Sequence, residues 1–184
     1  MVIAERFSVG LATGSRRPYN RIVMPARLSK PQQDKFLSGR HVAVLVTIGT
    51  DGSPSPTPIW YLYRDGLFYF RTASDAIKTK NIRRDSRVSI CVQDERAPYK
   101  SVVVRGTAEV ADALGQLERD IPRHYLGVVG AIGYRAAARE QIEQGPEVTL
   151  IVRPAHMTTS DFAADTPSVG RVWLLFKRVL PPWL

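Results

Sequence analysis

Two Asp-Gly pairs constrain the fold of this chain more than any other feature of its sequence. Asp51-Gly52 and Asp65-Gly66 each predict a tight hairpin turn, because this dipeptide readily adopts the left-handed backbone of a short loop. The flanking segments fit strands: a β-branched apolar run at His41–Ile48, a strand at about residues 54–64, and an aromatic strand at Leu67–Thr72. Three successive antiparallel strands are therefore expected.

The middle strand of these three has prolines at positions 54, 56 and 58. Successive amides of a strand point to opposite sides, so prolines at this spacing remove N–H donors from the same edge. That edge cannot donate to a regular ladder. We expect it to face solvent, a loop or a ligand.

The rest of the chain supports an antiparallel architecture. Further strands are predicted at residues 87–92, 99–110 and 147–152. Ser29 and Gln32 have the spacing of a capping box and predict a helix that ends at Gly39, and residues 111–145 have helical spacing of apolar side chains. Because the strands follow one another directly, with one short crossover, we predict a small closed antiparallel β-barrel and not a parallel sheet.

We divide the chain into three parts: residues 1–24, a basic arm; residues 25–162, the barrel domain; and residues 163–184, a tail. The tail is rich in apolar side chains, including Trp173 and Phe176, but is too short to span a bilayer. We expect it to pack on the barrel or on a partner subunit. Contact with an anionic membrane surface is the alternative that we do not favour.

Positive charge is concentrated between the strand ending at Thr72 and the strand that begins near residue 87. Ser74 is placed to cap a short helix, and Asp75 to interact with its dipole. A helix N-terminus offers unpaired N–H groups to an anion, and Lys78 lies one turn in. Arg71, Thr72 and Lys78 therefore predict a phosphate site, whereas the competing interpretation is a solvated basic helix.

Composition favours anionic ligands and limits the other classes of function. Lys and Arg number 26 against 17 Asp and Glu, a net charge of +9. The cations are dispersed, without an aromatic platform for bases, so nucleic-acid binding is not expected. The single cysteine, Cys91, excludes an internal disulfide, and no signal peptide is recognised; we expect a cytoplasmic protein.

Motifs for covalent or metal chemistry are not found in the sequence. The glycines at 127, 130 and 133 lack the dinucleotide-binding spacing and are interpreted as a linker between helices. The three histidines, His41, His124 and His156, are scattered singly and are interpreted as structural, so no metal site is predicted. Redox activity would therefore require a bound cofactor.

Three motifs resemble the pyridoxamine 5′-phosphate oxidase-like split β-barrel superfamily, and most closely its coenzyme F420-dependent (deazaflavin) reductases. They are Val-Leu-Val-Thr-Ile-Gly-Thr-Asp-Gly-Ser-Pro at 44–54, Pro-Thr-Pro-Ile-Trp-Tyr at 56–61, and the segment from Lys78 to Ser89. The resemblance covers about residues 29–160 and implies a split antiparallel β-barrel with flanking helices.

The resemblance also implies a cofactor site. Its residues would be Thr57, Pro58, Ile59, Trp60, Arg71, Thr72, Ile77, Lys78, Lys80, Asn81 and Tyr99. Residues 57–60 would lie along the flat ring, and the 71–81 segment would hold the phosphate. Members of the family are homodimers with the cofactor between subunits, and Tyr99 matches an aromatic position that the second subunit contributes.

The implied activity is hydride transfer from coenzyme F420 to a small electrophilic substrate, whose identity the sequence does not give. An FMN-dependent oxidoreductase and a non-catalytic cofactor carrier are the alternatives. Pyridoxamine phosphate oxidation itself is disfavoured, because its substrate-binding signature is not recognisable. No catalytic acid is assigned, although Tyr61 and Tyr125 are candidates for a proton donor.

Overall fold

The computed structural model describes residues 25–96, 99–140 and 146–162. The predicted arm at residues 1–24 and the predicted tail at residues 163–184 lie outside the described residues. The elements, in chain order, are α1 Lys30–Leu37, β1 Ala43–Ile48, β2 Pro54–Ile59, β3 Tyr61–Arg64, β4 Leu67–Ala73, α2 Ile77–Arg84, β5 Arg87–Asp94, β6 Lys100–Asp112, α3 Gly115–Glu140 and β7 Glu147–Asp161.

The strands form one antiparallel sheet in the order β2-β1-β5-β6-β7-β4-β3. In a flat sheet of this order the outer strands would lie about 29 Å apart, six spacings of ~4.8 Å. Yet the outer strands β2 and β3 are joined by a single residue, Trp60, which spans only about 7 Å. The sheet must therefore curl until its two edges meet, which confirms the predicted split antiparallel β-barrel with flanking helices.

Both Asp-Gly turns are confirmed. Gly52 has φ +81°, and Asp65 and Gly66 have φ +54° and +78°, so the second hairpin consists of two left-handed residues between Arg64 and Leu67. The proline-rich strand β2 is an outer strand that pairs only with β1. Its missing N–H donors therefore cost no ladder hydrogen bond, as the sequence predicted.

The inside of the barrel is filled by one face of each strand. In β6, Val102, Val104 and Ala108 are buried and the residues between them are not, which confirms the predicted alternation. Gly106 marks a shift in register between β6 and β7: a Cβ there would lie 2.2 Å from the carbonyl oxygen of Arg153. Only glycine permits this close approach of the two strands.

Three sequence-based boundaries are wrong. The strand expected at about residues 54–64 is broken at Trp60, where the chain passes from one sheet edge to the other. The last strand continues well past residue 152, because it pairs with the whole length of β6. The glycine-rich segment is not a linker: Gly127, at φ +70°, breaks α3, and the residues after it are helical again.

Candidate functional site

Lys78 and Thr72 meet at the junction of β4 and α2. Thr72 lies near the end of β4, on the same face as the buried Phe68 and Phe70. Lys78 is in the first turn of α2, and its Nζ donates a hydrogen bond to Thr72 Oγ1 at 3.2 Å. The first turn of the helix is held against the strand because Thr79 Oγ1 also donates to the carbonyl of Ala73. The structure thus brings together two of the predicted phosphate ligands.

The ammonium of Lys78 is half-buried, and no carboxylate of the described residues lies within ion-pair distance of it. Burial lowers the pKa of Lys78, because the charged form loses solvation that no anion replaces. A partly desolvated cation with a hydroxyl as its hydrogen-bond partner favours a small anion such as phosphate.

The N-terminus of α2 is open, but not in the way the sequence predicted. The predicted cap at Ser74 is wrong: the N-cap residue is Ala76, no side chain caps the helix, and no acidic residue lies in its first turn. Ser74 is instead held by its backbone, since its N–H donates to Pro146 and its carbonyl accepts from Arg83. The first-turn N–H groups beside Lys78 are therefore not covered by a side-chain cap.

Arg71 lies on the other side of the same strand. Because neighbouring residues of a strand point to opposite faces, its side chain leaves β4 away from Thr72. It forms a two-pronged ion pair with Glu147 of β7, in which Nε lies 2.6 Å from Oε2 and an Nη bonds the other oxygen. The structure thus separates Arg71 from Lys78, although both are predicted phosphate ligands.

The other predicted residues of α2 differ in exposure. Ile77 and Lys80 are exposed to solvent. Asn81 is buried, and its amide donates to Thr47 Oγ1 of β1 at 3.0 Å. Arg84, one turn further on, donates to the carbonyl of Ile48. Asn81 and Arg84 therefore fix α2 to the end of β1, so that the helix connects β4 with the strand that pairs with β2.

The predicted ring-binding residues lie at the seam of the barrel, which is the line where its two edge strands, β2 and β3, meet at Trp60. Thr57 and Pro58 lie on the outer strand β2, and Ile59 packs against the core. Tyr61 of β3 pairs with Phe70 of β4. Thr72 follows Phe70 by two residues, so it lies about 7 Å further along β4 than this pair. Residues 57–60 and the Lys78–Thr72 junction are thereby placed on the two sides of the seam.

Trp60 sits at the seam and is partly covered by α3. Its ring stacks on Tyr125 at a centroid distance of 4.8 Å with an angle of 6° between the planes, and Tyr134 approaches at 5.5 Å. Tyr125 also donates to the carbonyl of His41 at 2.6 Å and accepts from the N–H of Tyr61. No sequence pattern indicated this role: Tyr125 joins the edge strand β3 to the segment before β1, the strand that pairs with the other edge strand β2.

The two tyrosines predicted as candidate proton donors both have hydroxyls that bond main-chain carbonyls. The hydroxyl of Tyr61 donates to the carbonyl of Leu37 inside the core, and burial raises the pKa of Tyr61. The hydroxyl of Tyr125 is committed to His41, and burial raises the pKa of Tyr125 as well. Both hydroxyl protons are used in main-chain hydrogen bonds.

Tyr99 lies far from the junction within one chain. Thr72 pairs with Val148, which pairs with Asp112 at the end of β6, whereas Tyr99 precedes the start of β6. The length of β6 between these two ends is twelve residues, or about 40 Å along the strand. Tyr99 is exposed and lines a cavity of about 390 Å³ with Phe162 and neighbouring polar residues. The structure therefore does not bring Tyr99 to Lys78 of the same chain.

The described part of the chain contains no group of three or more His, Cys, Asp or Glu side chains that could hold a metal ion. His124 contacts the carbonyl of Gly39, and His41 stacks on Phe36, so both have structural contacts. Cys91 is half-buried in β5, and burial raises the pKa of its thiol. No helix within the described ranges has the length and apolar character needed to cross a membrane.

Comparison with known proteins places these features in a family. The family model described as pyridoxamine 5′-phosphate oxidase matches residues 29–160. A conserved hypothetical protein from Mycobacterium tuberculosis is similar in structure, with 22% identity and a TM-score of 0.64 over 80% of this chain and 94% of its own. A structure described as an F420 reductase has 21% identity and a TM-score of 0.54, covering 67% of this chain and 94% of its own.

A third similar structure is a FAD-binding protein from Mesorhizobium loti. It is 26% identical to this chain, covers 73% of this chain and 95% of its own, and has a TM-score of 0.53. At these identities the M. tuberculosis protein and the F420 reductase support the fold alone. The match to the family model extends over most of the barrel, including both sides of the seam.

Proposed function

The chain belongs to the pyridoxamine 5′-phosphate oxidase family, and from that premise we propose that it is an oxidoreductase that binds a flavin-type cofactor. More specifically, we propose a coenzyme F420-dependent reductase that transfers hydride to a small electrophilic substrate. The observation that carries the proposal is the half-buried ammonium of Lys78, hydrogen-bonded to Thr72 beside the open N-terminus of α2. Both F420 and FMN carry a phosphate group that such a site can bind.

The residues of the junction fit a phosphate by their chemistry. Lys78 would supply a charge-assisted hydrogen bond, Thr72 a hydroxyl, and the first turn of α2 its backbone N–H groups. Thr57, Pro58, Ile59 and Trp60 would orient the flat ring along the seam, where the proline-rich edge of β2 has no N–H to satisfy. The bound cofactor supplies the hydride chemistry, and the chain contributes binding, orientation and exclusion of water.

Two features support F420 over FMN. FMN carries a phosphate monoester, whereas F420 has a phosphodiester and an anionic polyglutamate tail. Arg71 is engaged by Glu147, so the cation that contacts Thr72 is Lys78 alone among the described residues, and a single positive charge suits the lower charge of a diester. Lys80 is exposed on the outside of α2, where it could meet an anionic tail.

We also propose that the active unit is a homodimer. Tyr99 and Lys78 lie at opposite ends of the strands, so an aromatic residue at Tyr99 reaches a cofactor only from another subunit. A homodimer with the cofactor between subunits satisfies this placement. Sedimentation of the purified chain at several concentrations tests the assembly.

The proposal is tested by titrating the purified protein with F420 and FMN side by side. We expect saturable binding of F420 with the higher affinity. Stronger binding of FMN would favour the alternative, an FMN-dependent oxidoreductase. Failure to bind either cofactor would contradict the proposed function. Consumption of reduced F420 in the presence of electrophilic acceptors then distinguishes an enzyme from a carrier, which would bind the cofactor without turnover.

A further inference from the structure

We propose that residues 171–184 of this chain dock on an apolar surface formed by α3 around its break at Gly127. This surface, the α3 corner, consists of Leu126, Val128, Val129 and Ile132. Val129 is 84% exposed and Ile132 67% exposed, while Ala131 between them faces the barrel and is buried. Four large apolar side chains within seven positions are more than a soluble surface usually leaves uncovered in one place.

The break at Gly127 explains why these side chains point outward. Its left-handed backbone, φ +70°, interrupts the helix and redirects the residues that follow. Tyr134 and Ala131 then anchor the second half of α3, Tyr134 through its contact with Trp60. Ala131 is buried, whereas Val128, Val129 and Ile132 are 57%, 84% and 67% exposed, so these three side chains lie toward solvent.

The composition of the chain beyond Phe162 identifies the occupant. Residues 172–176 read Val-Trp-Leu-Leu-Phe, and Trp183 and Leu184 follow near the end. In residues 1–24, which carry four arginines, the longest apolar run is Met1–Ala4, which is shorter and contains no aromatic side chain. Burying apolar surface contributes roughly 25 cal/mol per Å², so an apolar segment of the chain gains free energy by contact with the exposed α3 corner.

The tail is long enough to reach the α3 corner. Thr159 of β7 is connected to Ile59 by a row of paired residues across four strand spacings, through Val102, Val92 and Ala43. Four spacings amount to about 19 Å, and less through space in a curled sheet. Trp60 follows Ile59 and contacts Tyr134. Residues 163–171 can span about 30 Å when extended, which exceeds this width, so the tail can cross from β7 to the side of the barrel that α3 covers.

The test is photo-crosslinking in the full-length chain. Benzoylphenylalanine is introduced at Val129, and its adducts are mapped by mass spectrometry in a mixture of heavy- and light-isotope protein. We expect adducts with residues 171–184 of the same chain, and their loss in the variant that also carries Trp173→Asp and Phe176→Asp. The same probe at Ile77, which is 71% exposed on α2, is the matched control and should give no adduct with the tail.

The other occupants have distinct outcomes. Adducts between heavy and light chains would overturn the proposal in favour of a contact between two copies. Lipid adducts with vesicles of phosphatidylglycerol, without adducts to the tail, would overturn it in favour of a membrane surface. Absence of any adduct would show that nothing covers the α3 corner, which would also overturn the proposal. If the double substitution prevents folding, the isotope pattern of the singly modified chain decides alone.

Discussion

Lys78 and Arg71 are seven residues apart, carry the same charge and are treated very differently by the fold. Lys78 is half-buried with a neutral hydroxyl as its partner. Arg71 is partly exposed, at 22%, and is neutralised by both oxygens of Glu147. Strand geometry causes the difference, because Arg71 and Thr72 are neighbours in β4 and point to opposite faces.

The difference teaches that a count of cations overstates the anion-binding capacity of a segment. An arginine that is paired with a carboxylate presents little net positive charge to an anionic ligand. If Arg71 turned to bind the ligand, Glu147 would lose its partner. A lysine that is desolvated without a carboxylate has already lost part of its hydration, so an anion that reaches it gains more. We therefore expect the two cations to differ in binding and in stability.

The largest expected effect is that of Lys78→Met on cofactor binding. Removing a charge-assisted hydrogen bond to phosphate should cost about 1.5–3 kcal/mol, or roughly 10- to 150-fold in Kd. The melting temperature should not fall, because the substitution removes a desolvated charge from the fold. Calorimetric titration with F420 measures the loss, and Lys80→Met, an exposed lysine of the same helix, is the matched control. Equal losses in the two variants would contradict the special role of Lys78.

The second prediction removes the same charge by pH. Only protonated Lys78 attracts phosphate, and its pKa is lowered by burial, so affinity should decline with rising pH before an ordinary lysine deprotonates. For stability the sign is opposite: the folded state binds the proton less tightly, so stability rises as pH increases from the lowered pKa to the ordinary one. Binding titrations across the alkaline range should show the decline in the natural protein but not in Lys78→Arg, which keeps its charge.

Thr72→Val tests the partner of Lys78 and should have a smaller effect. The hydroxyl holds the ammonium at 3.2 Å, and its removal leaves the charge in place but less well oriented. A neutral hydrogen bond contributes about 0.5–1.5 kcal/mol, so we expect a Kd roughly 2- to 12-fold higher. An effect as large as that of Lys78→Met would mean that Thr72, and not the lysine, is the main anchor.

The barrel could be predicted from the sequence because the patterns that indicate it lie within short stretches of the chain. Alternation with one buried face marked β6, Asp-Gly marked the two hairpins, and the prolines marked an outer strand. What failed depends on tertiary contacts. The break at Trp60 results from barrel closure, and the role of Tyr125 requires two main-chain segments that are distant in sequence.

The candidate site was predicted in part for the same reason. The proximity of Thr72 and Lys78 follows from a strand that leads directly into a helix. Ser74 was a reasonable cap by residue type, but its backbone is bound to Pro146, which sequence spacing does not reveal. The separation of Arg71 could have been predicted, since adjacent strand residues alternate faces; its partner Glu147 could not, because it is 76 residues away.

The smallest expected effects come from Arg71 and Glu147, and they complete the comparison. Both side chains are partly exposed, 22% and 39%, so solvent screening limits the pair to about 0.5–1 kcal/mol of stability. Arg71→Gln and Glu147→Gln should each lower the free energy of unfolding by about that amount, and the double variant should lose less than their sum because the two effects share one interaction. F420 binding should stay within about twofold in all three, since neither side chain lies on the face of Thr72 and Lys78. A double-mutant cycle by urea denaturation measures the coupling, and the same preparations are titrated with F420. Tenfold weaker binding in Arg71→Gln would show that the arginine leaves Glu147 when the ligand arrives, and the two cations would then act together as the sequence alone suggested.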